Sequence, residues 1–181
     1  MIQVKDKVFN ILIPEQQLLN RIKDMATQIS QEYEGKSPLF LAVLNGSFMF
    51  AADLLKNITV ACEISFVKVA SYEATHSTGK LTQLIGLPEE VTGRHVIILE
   101  DIVDTGITIE SIVHDLQKKN PLSVQVATLL HKPEAYTKQI PLPYIGFSIP
   151  NQFVLGYGLD YDQLGRNLKD LYVLQGGYNK Y

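Results

Sequence analysis

Residues 96–108 read Val-Ile-Ile-Leu-Glu-Asp-Ile-Val-Asp-Thr-Gly-Ile-Thr. Val96 to Leu99 form an apolar run too short for a typical helix and β-branched enough for a buried parallel strand. At its C-terminal end come Glu100 and Asp101, then Asp104, then Thr105-Gly106-Ile107-Thr108. An amphipathic helix is predicted to start there, with Ile109, Ile112, Val113 and Leu116 on one stripe. A glycine among hydroxyls at a helix N-terminus suits a phosphate, because unclaimed N–H groups and the helix dipole both favour an anion. Three carboxylates at one strand end repel one another. Beside a phosphate they make sense only if they hold a cation or bind hydroxyls. The residue types therefore point to a phosphorylated, hydroxylated ligand accompanied by Mg²⁺.

The elements around this stretch follow from the apolar pattern. Residues 7–13 predict a short strand ended by Pro14. Leu18, Leu19, Ile22, Met25, Ala26, Ile29 and Tyr33 make one helical stripe closed by Gly35. Residues 38–44 form a continuous apolar run, hence a buried strand, and Asn45-Gly46-Ser47 turns the chain into a second helix through about Lys56. Another strand is predicted over 62–70, and Ser71 to Lys80 is polar, glycine-punctuated and without apolar period, as in a mobile loop. After the central strand, Asn120-Pro121 ends its helix and 124–130 predict a further strand. Beyond Lys132 the helices cease, and short strands are predicted at 144–149, 153–157 and 171–175. Alternating strands and helices imply βαβ units and an α/β fold with a parallel sheet. The N-terminal strand and helix, with the strand-rich tail, are expected to form a small hood over the sheet. One domain over 1–181 is expected, its core about 36–140, and no internal repeat or linker interrupts it.

Bulk properties narrow the class. A chain of 181 residues buries roughly 70% of its unfolded surface. Net charge −3 argues against a broad grip on nucleic acid, which needs a basic face. No run of about 18 apolar residues and no leader pattern occurs, so a cytoplasmic protein with no membrane partner is expected. The Asn-x-Ser/Thr matches at Asn45 and Asn57 are then chance matches. Cys62 is the one cysteine, and its apolar-rich setting predicts a buried, inert thiol. The histidines match no metal-ligand spacing, and His131 is expected to be structural.

The 96–108 stretch resembles the phosphoribosyl pyrophosphate (PRPP) signature of the type I phosphoribosyltransferases: an apolar strand, two acids, two apolar residues, then Asp-Thr-Gly-x-Thr. The similarity runs over nearly the whole chain and is closest to the 6-oxopurine branch, in its bacterial hypoxanthine (hypoxanthine-guanine) form. It implies the type I phosphoribosyltransferase fold, a parallel twisted sheet flanked by helices with a small hood subdomain. It also implies transfer of a ribosyl 5′-phosphate from PRPP to N9 of hypoxanthine, and of guanine, giving IMP or GMP and pyrophosphate. An enzyme preferring xanthine and guanine is the alternative within the branch. An RNA-binding regulator on the same fold is disfavoured by net acidity and a complete purine pocket.

By that resemblance Glu100 and Asp101 hold the ribose hydroxyls, directly or through Mg²⁺, and Asp104 is catalytic, exchanging a proton at purine N7. Thr105, Gly106, Ile107 and Thr108 wrap the 5′-phosphate, with Ile107 at the variable position. Asn45 and Gly46 belong to the pyrophosphate-binding loop, which in the family tends to hold a non-proline cis peptide. The branch often carries Lys where this chain has Asn45, which removes a charge but keeps the backbone donors. Ser71-Tyr72 resembles the head of a flexible lid. Lys132 corresponds to the lysine that donates to the exocyclic oxygen at C6, Phe153 to the residue that stacks on the base, and Val154 to the one whose backbone meets the base edge. Asp160 reaches a second Mg²⁺ on the pyrophosphate, and Arg166 binds pyrophosphate oxygens. Homodimers or homotetramers are usual in the family.

Overall fold

The structure, a computed structural model, describes residues 1–71, 81–86 and 90–176, and of 69–71 and 81–85 the backbone alone. At its centre lie two strands made of the apolar runs, β3 (Leu39–Leu44) and β6 (His95–Val103). Side chains alternate across a strand, so Leu39, Leu41 and Val43 pack on one face with Val96 and Ile98. Phe40 and Ala42 pack on the other with Ile97 and Leu99. Both faces are buried, which is why these strands read as unbroken apolar runs rather than as alternation. The other strands of this sheet are β4 (Glu63–Ser71), β5 (Leu81–Ile85), β7 (Ser123–His131) and β8 (Tyr144–Ser148). The order is β5-β4-β3-β6-β7-β8, with β5 antiparallel to β4 and the other five strands parallel.

Among the described residues, three helices cover the sheet. α1 (Glu15–Glu32) and α2 (Phe48–Leu55) lie on the Phe40 face, α3 (Ile107–Gln117) on the Leu41 face. The stripe of α1 buries Leu18, Ile22, Met25, Ala26 and Ile29 as predicted, and Gly35 closes it with φ +74°. In α3 all four predicted positions are buried. The chain leaves β3 towards β4 on one side of the sheet, whereas its neighbour β6 leads to β7 on the other. The helices that follow β3 and β6 therefore diverge to opposite faces. Between the carboxyl ends of these two strands lies the crevice where open α/β sheets bind ligands.

A second, antiparallel sheet takes the order β1-β2-β10-β9. Its strands are β1 (Ile2–Val4), β2 (Lys7–Ile13), β9 (Val154–Leu155) and β10 (Leu171–Leu174). It seals Phe9, Leu155 and Tyr172, and it is the hood expected from the sequence, with different membership. α1 packs on the main sheet, because the Arg21 guanidinium donates to the carbonyls of Gly146 (2.9 Å) and Ile145 (2.6 Å) on β8. β8 itself pairs with β7, in register from Ala127–Tyr144 to His131–Ser148. β1 and β5 were not foreseen. Cys62 is a further correction: it is exposed, one residue ahead of β4. Its apolar neighbours Ile64 and Phe66 are exposed too, so hydrophobic composition did not mean burial here.

Candidate functional site

The carboxyl ends of β3 and β6 enclose a cleft of about 250 Å³. Leu44 and Gly46 line one wall, Glu100 to Ile109 the other. β6 runs four residues past its apolar core, because Glu100, Ile102 and Val103 continue the ladder to Thr128, Leu130 and His131. Glu100 and Asp101 are thus held inside a strand instead of on a loop.

The 45–47 turn is built for close approach. Its Leu44–Asn45 peptide is cis, as the resemblance implied. The buried Ser47 hydroxyl donates to the Val43 carbonyl at 2.6 Å and fixes the turn on its strand. A Cβ on Gly46 would overlap the Asp101 carboxylate, and a Cβ on Gly158 would overlap the Gly46 carbonyl. Only glycine at both positions lets the Asp101 carboxylate and the two backbones come this close. Gly158 (φ +100°) escaped sequence reasoning, although two glycines flanking Tyr157 after a short strand are the signal for such a contact. Asn45 is exposed at the tip of the turn.

The acids have unequal surroundings. Burial, and then the neighbouring Asp101 charge, push the Glu100 carboxyl well above the usual carboxylate range. Burial raises Asp101 as well, against the pull of its hydrogen bonds and of the Arg166 charge. The Ile102 N–H donates to Asp101 Oδ1 at 2.9 Å. A buried pair that ionises reluctantly is a donor set that cations or hydroxyl groups would satisfy.

Beyond them, Gly106 adopts φ +85° and caps α3. The first-turn N–H groups of a helix have no partner within it, so they remain available to an anion lying in the cleft. Thr105 and Ile107 are exposed and Thr108 half-buried. Asp104 sits at the mouth, its Oδ2 accepting from the Lys132 ammonium at 3.0 Å. Lys132 follows β7, and its N–H donates to the Val103 carbonyl at 3.0 Å. That bond explains how residues 28 positions apart meet. His131 next to it is held neutral by burial and packs edge-on against Tyr136.

The remaining predicted residues come from the hood side. Arg166 donates to the Gly158 carbonyl at 2.8 Å and pairs with Asp160 at 2.6 Å, which also accepts from the Gln163 N–H at 2.8 Å. Phe153 lies between Phe9 and Tyr161, with ring centroids 6.2 and 5.9 Å away, and Val154 is buried in β9. Neither lines the β3–β6 cleft. Glu100, Asp101 and Asp160 are not gathered around one point: among the described residues no three His, Cys, Asp or Glu side chains form a metal cage. Ser71 ends β4, while Tyr72 and the polar loop to Lys80 lie outside the described residues.

A doubly wound sheet with a carboxylate pair and an anion cradle at its switch point defines a protein that handles a phosphorylated sugar or nucleotide. The chain belongs to the phosphoribosyl transferase domain family, whose model matches residues 12–162. It is 40% identical to a hypoxanthine-guanine phosphoribosyltransferase of Lactococcus lactis over 172 residues, 94% of this chain and 93% of that one. A hypoxanthine-guanine phosphoribosyltransferase structure from Bacillus anthracis superposes with a TM-score of 0.87 at 36% identity, covering 93% of this chain and 98% of that one. A hypoxanthine phosphoribosyltransferase of Trypanosoma cruzi, in complex with its product IMP, also gives 0.87 at 34% identity, covering 97% and 98%.

Proposed function

We propose that this chain is a purine salvage enzyme that transfers the 5-phosphoribosyl group of PRPP to N9 of hypoxanthine and guanine, giving IMP or GMP and pyrophosphate. The observation that carries this reading is the Asp104–Lys132 pair at the cleft mouth. A 6-oxopurine presents O6 and N7 side by side on one edge, both as acceptors. An ammonium that donates to O6 and a carboxyl that exchanges a proton at N7, 3.0 Å apart, match that edge. Adenine places an N–H donor where Lys132 needs an acceptor, so it is disfavoured.

The other residues divide the substrate between them. Gly106 and the first turn of α3 receive the 5′-phosphate, with the Thr105 and Thr108 hydroxyls beside it. Glu100 and Asp101 hold the ribose 2′- and 3′-hydroxyls. As the anomeric C–O bond breaks, negative charge grows on pyrophosphate, and the backbone amides around Gly46, with the Arg166 guanidinium, stabilise it. Asp104 adjusts the proton on N7 and so tunes the ring as nucleophile or leaving group. Phe153, tilted against Phe9 and at a right angle to Tyr161 in the hood, would be the surface on which the base stacks, with the Val154 backbone at its edge. Ser71 and Tyr72 would begin a lid that excludes water from the cationic ribose.

The Glu100–Asp101 pair fits Mg²⁺, and Asp160 would reach a second ion. Mg²⁺ is commonly bound by one or two carboxylates plus substrate oxygens rather than by an all-protein cage. Bound there, it would neutralise the leaving pyrophosphate. Among the described residues no helix is long and apolar enough to cross a membrane. A cytoplasmic setting suits a chain with a single cysteine. Self-association into dimers or tetramers would cover Phe48 on α2 and Ile64 and Phe66 on β4, which are exposed large apolar side chains.

Purified protein with PRPP and Mg²⁺, followed by ultraviolet absorbance against hypoxanthine, guanine, xanthine, adenine and uracil in turn, tests the reading. Turnover of hypoxanthine without adenine or uracil is expected. Faster turnover of xanthine than of hypoxanthine would reassign the base. Silence with all five from a protein that binds PRPP would refute the enzyme.

A further inference from the structure

Residues 132–140 follow β7 without a regular element of their own. Apart from Lys132 they take no part in the reading above, yet they lie against the back of the 5′-phosphate loop. Thr137 reaches the Thr105 carbonyl twice, its N–H donating at 3.3 Å and its hydroxyl at 3.2 Å. The Tyr136 ring fills the space that a Cβ on Gly106 would occupy. That ring is itself pinned, edge-on to His131 with centroids 5.3 Å apart, and its hydroxyl donates to the Ile140 carbonyl at 2.6 Å. Lys138 lays its stem beside Gly106 and pairs its ammonium with Glu110 at 2.6 Å.

A trans peptide is planar, so its C=O and the next N–H point in opposite directions. Tying the Thr105 carbonyl to Thr137, which does not line the cleft, aims the Gly106 N–H into it. Gly106 reaches this orientation at φ +85°, and a glycine left to itself samples both signs of φ. Tyr136 packed on its α-carbon removes that freedom. Glu110, in the first turn of α3, would repel a phosphate, and Lys138 screens it.

We propose that Thr137 and Tyr136 are positioning residues for the 5′-phosphate: they set the Thr105–Gly106 peptide in its anion-binding orientation before substrate arrives. The inference rests on the phosphoribosyl transfer reading, and its test separates the two. The wild type, Thr137→Val, Thr137→Ser, Tyr136→Ala and Tyr136→Phe are titrated calorimetrically with ribose 5-phosphate and with pyrophosphate, and KM is measured for PRPP and for hypoxanthine. Thr137→Val and Tyr136→Ala are expected to weaken ribose 5-phosphate and raise the PRPP KM by about threefold to tenfold, the worth of one hydrogen bond. Pyrophosphate affinity and the hypoxanthine KM stay within twofold. Thr137→Ser, which restores the donor, and Tyr136→Phe, which keeps the ring, return to wild-type values. Unchanged ribose 5-phosphate binding in Thr137→Val overturns the inference even if Tyr136→Ala fails to fold. Equal weakening of both ligands overturns it as well, because that marks general loosening. A wild type that binds neither ligand overturns the site reading itself, and this inference with it.

Discussion

Removing the Asp104 carboxylate should cost both stability and rate, by different mechanisms. The Lys132 side chain is only 10% exposed and its ammonium meets Asp104 at 3.0 Å, whereas the Asp104 side chain is 45% exposed. Breaking a fully buried ion pair costs about 3–5 kcal/mol, and an exposed one about 0–1. A pair with one end buried and the other half in water falls between, so Asp104→Ala should lose about 1–2 kcal/mol. For a chain of this length each kcal/mol moves Tm by about 2–4 °C, so Tm should fall by about 2–8 °C. Lys132→Met keeps the apolar stem and removes the ammonium, so its own cost is below about 1 kcal/mol. The double variant should then be no less stable than Lys132→Met alone, leaving a coupling of about 1–2 kcal/mol in the cycle. In turnover, Asp104→Asn should lower kcat by about 10²–10⁴ while the PRPP KM stays within threefold. Thermal melts of the four proteins and steady-state kinetics on Asp104→Asn measure both arms. Additive Tm changes would show that the pair does not restrain itself, and a wild-type kcat in Asp104→Asn would remove the proton-transfer role.

Three further outcomes follow from the same geometry. Because burial raises the Glu100 pKa above its usual 4.5, the folded chain keeps a proton that the unfolded chain loses. The stability this contributes is complete below pH 4.5 and is lost as pH rises through the folded-state pKa, by about 1.4 kcal/mol for every pH unit separating the two. In chelator, Glu100→Gln should therefore raise Tm at pH 7.5 but not at pH 4, and a Tm gap that is the same at both values would count against the assignment. Gly46→Ala forces a methyl into the Asp101 carboxylate, so pyrophosphate binding should weaken at least tenfold by calorimetry in a protein with unchanged far-ultraviolet circular dichroism; wild-type affinity would contradict the close approach. Arg21→Met removes two hydrogen bonds between α1 and β8 and should lower stability by about 1–3 kcal/mol in urea melts, with the PRPP KM unaltered because the pair lies away from the cleft.

What could be read from the sequence divides along the range of the interactions. The strands β3 and β6 and the helices α1 and α3 were legible because their signal is periodic burial, and each residue reports its own face: Leu41 and Phe40 go opposite ways as a strand requires. The acids and Asp-Thr-Gly turn were legible because their chemistry is contiguous. Edges were not. β1 and β5 are a three-residue and a five-residue strand, each paired on one side only with its neighbour in sequence and too short to show a period of burial, and β8 joins the main sheet only because β7 offers it a parallel edge. The acids were placed at the strand end by their position after the apolar run, but how far the strand goes on was not legible, because the ladder to β7 rather than local type carries it to Val103.

The same division runs through the site. The local pattern marks the groups proposed to meet the ligand, but the groups that orient them arrive from far along the chain. Lys132 reaches Asp104 through the backbone bond to Val103, and Gly158 reaches Gly46 across 112 positions. Thr137 touches Thr105 across 32. None of these partners differs in type from an ordinary surface lysine, turn glycine or loop threonine. Their roles follow from the divergence of chain direction at the β3–β6 crevice, which brings two separate segments, 132–140 and the turn at Gly158, against two strand ends. A substitution at Gly158 or Thr137 should accordingly disturb ligand orientation before it disturbs the fold, because each packs on a turn of the site rather than on either face of the sheet.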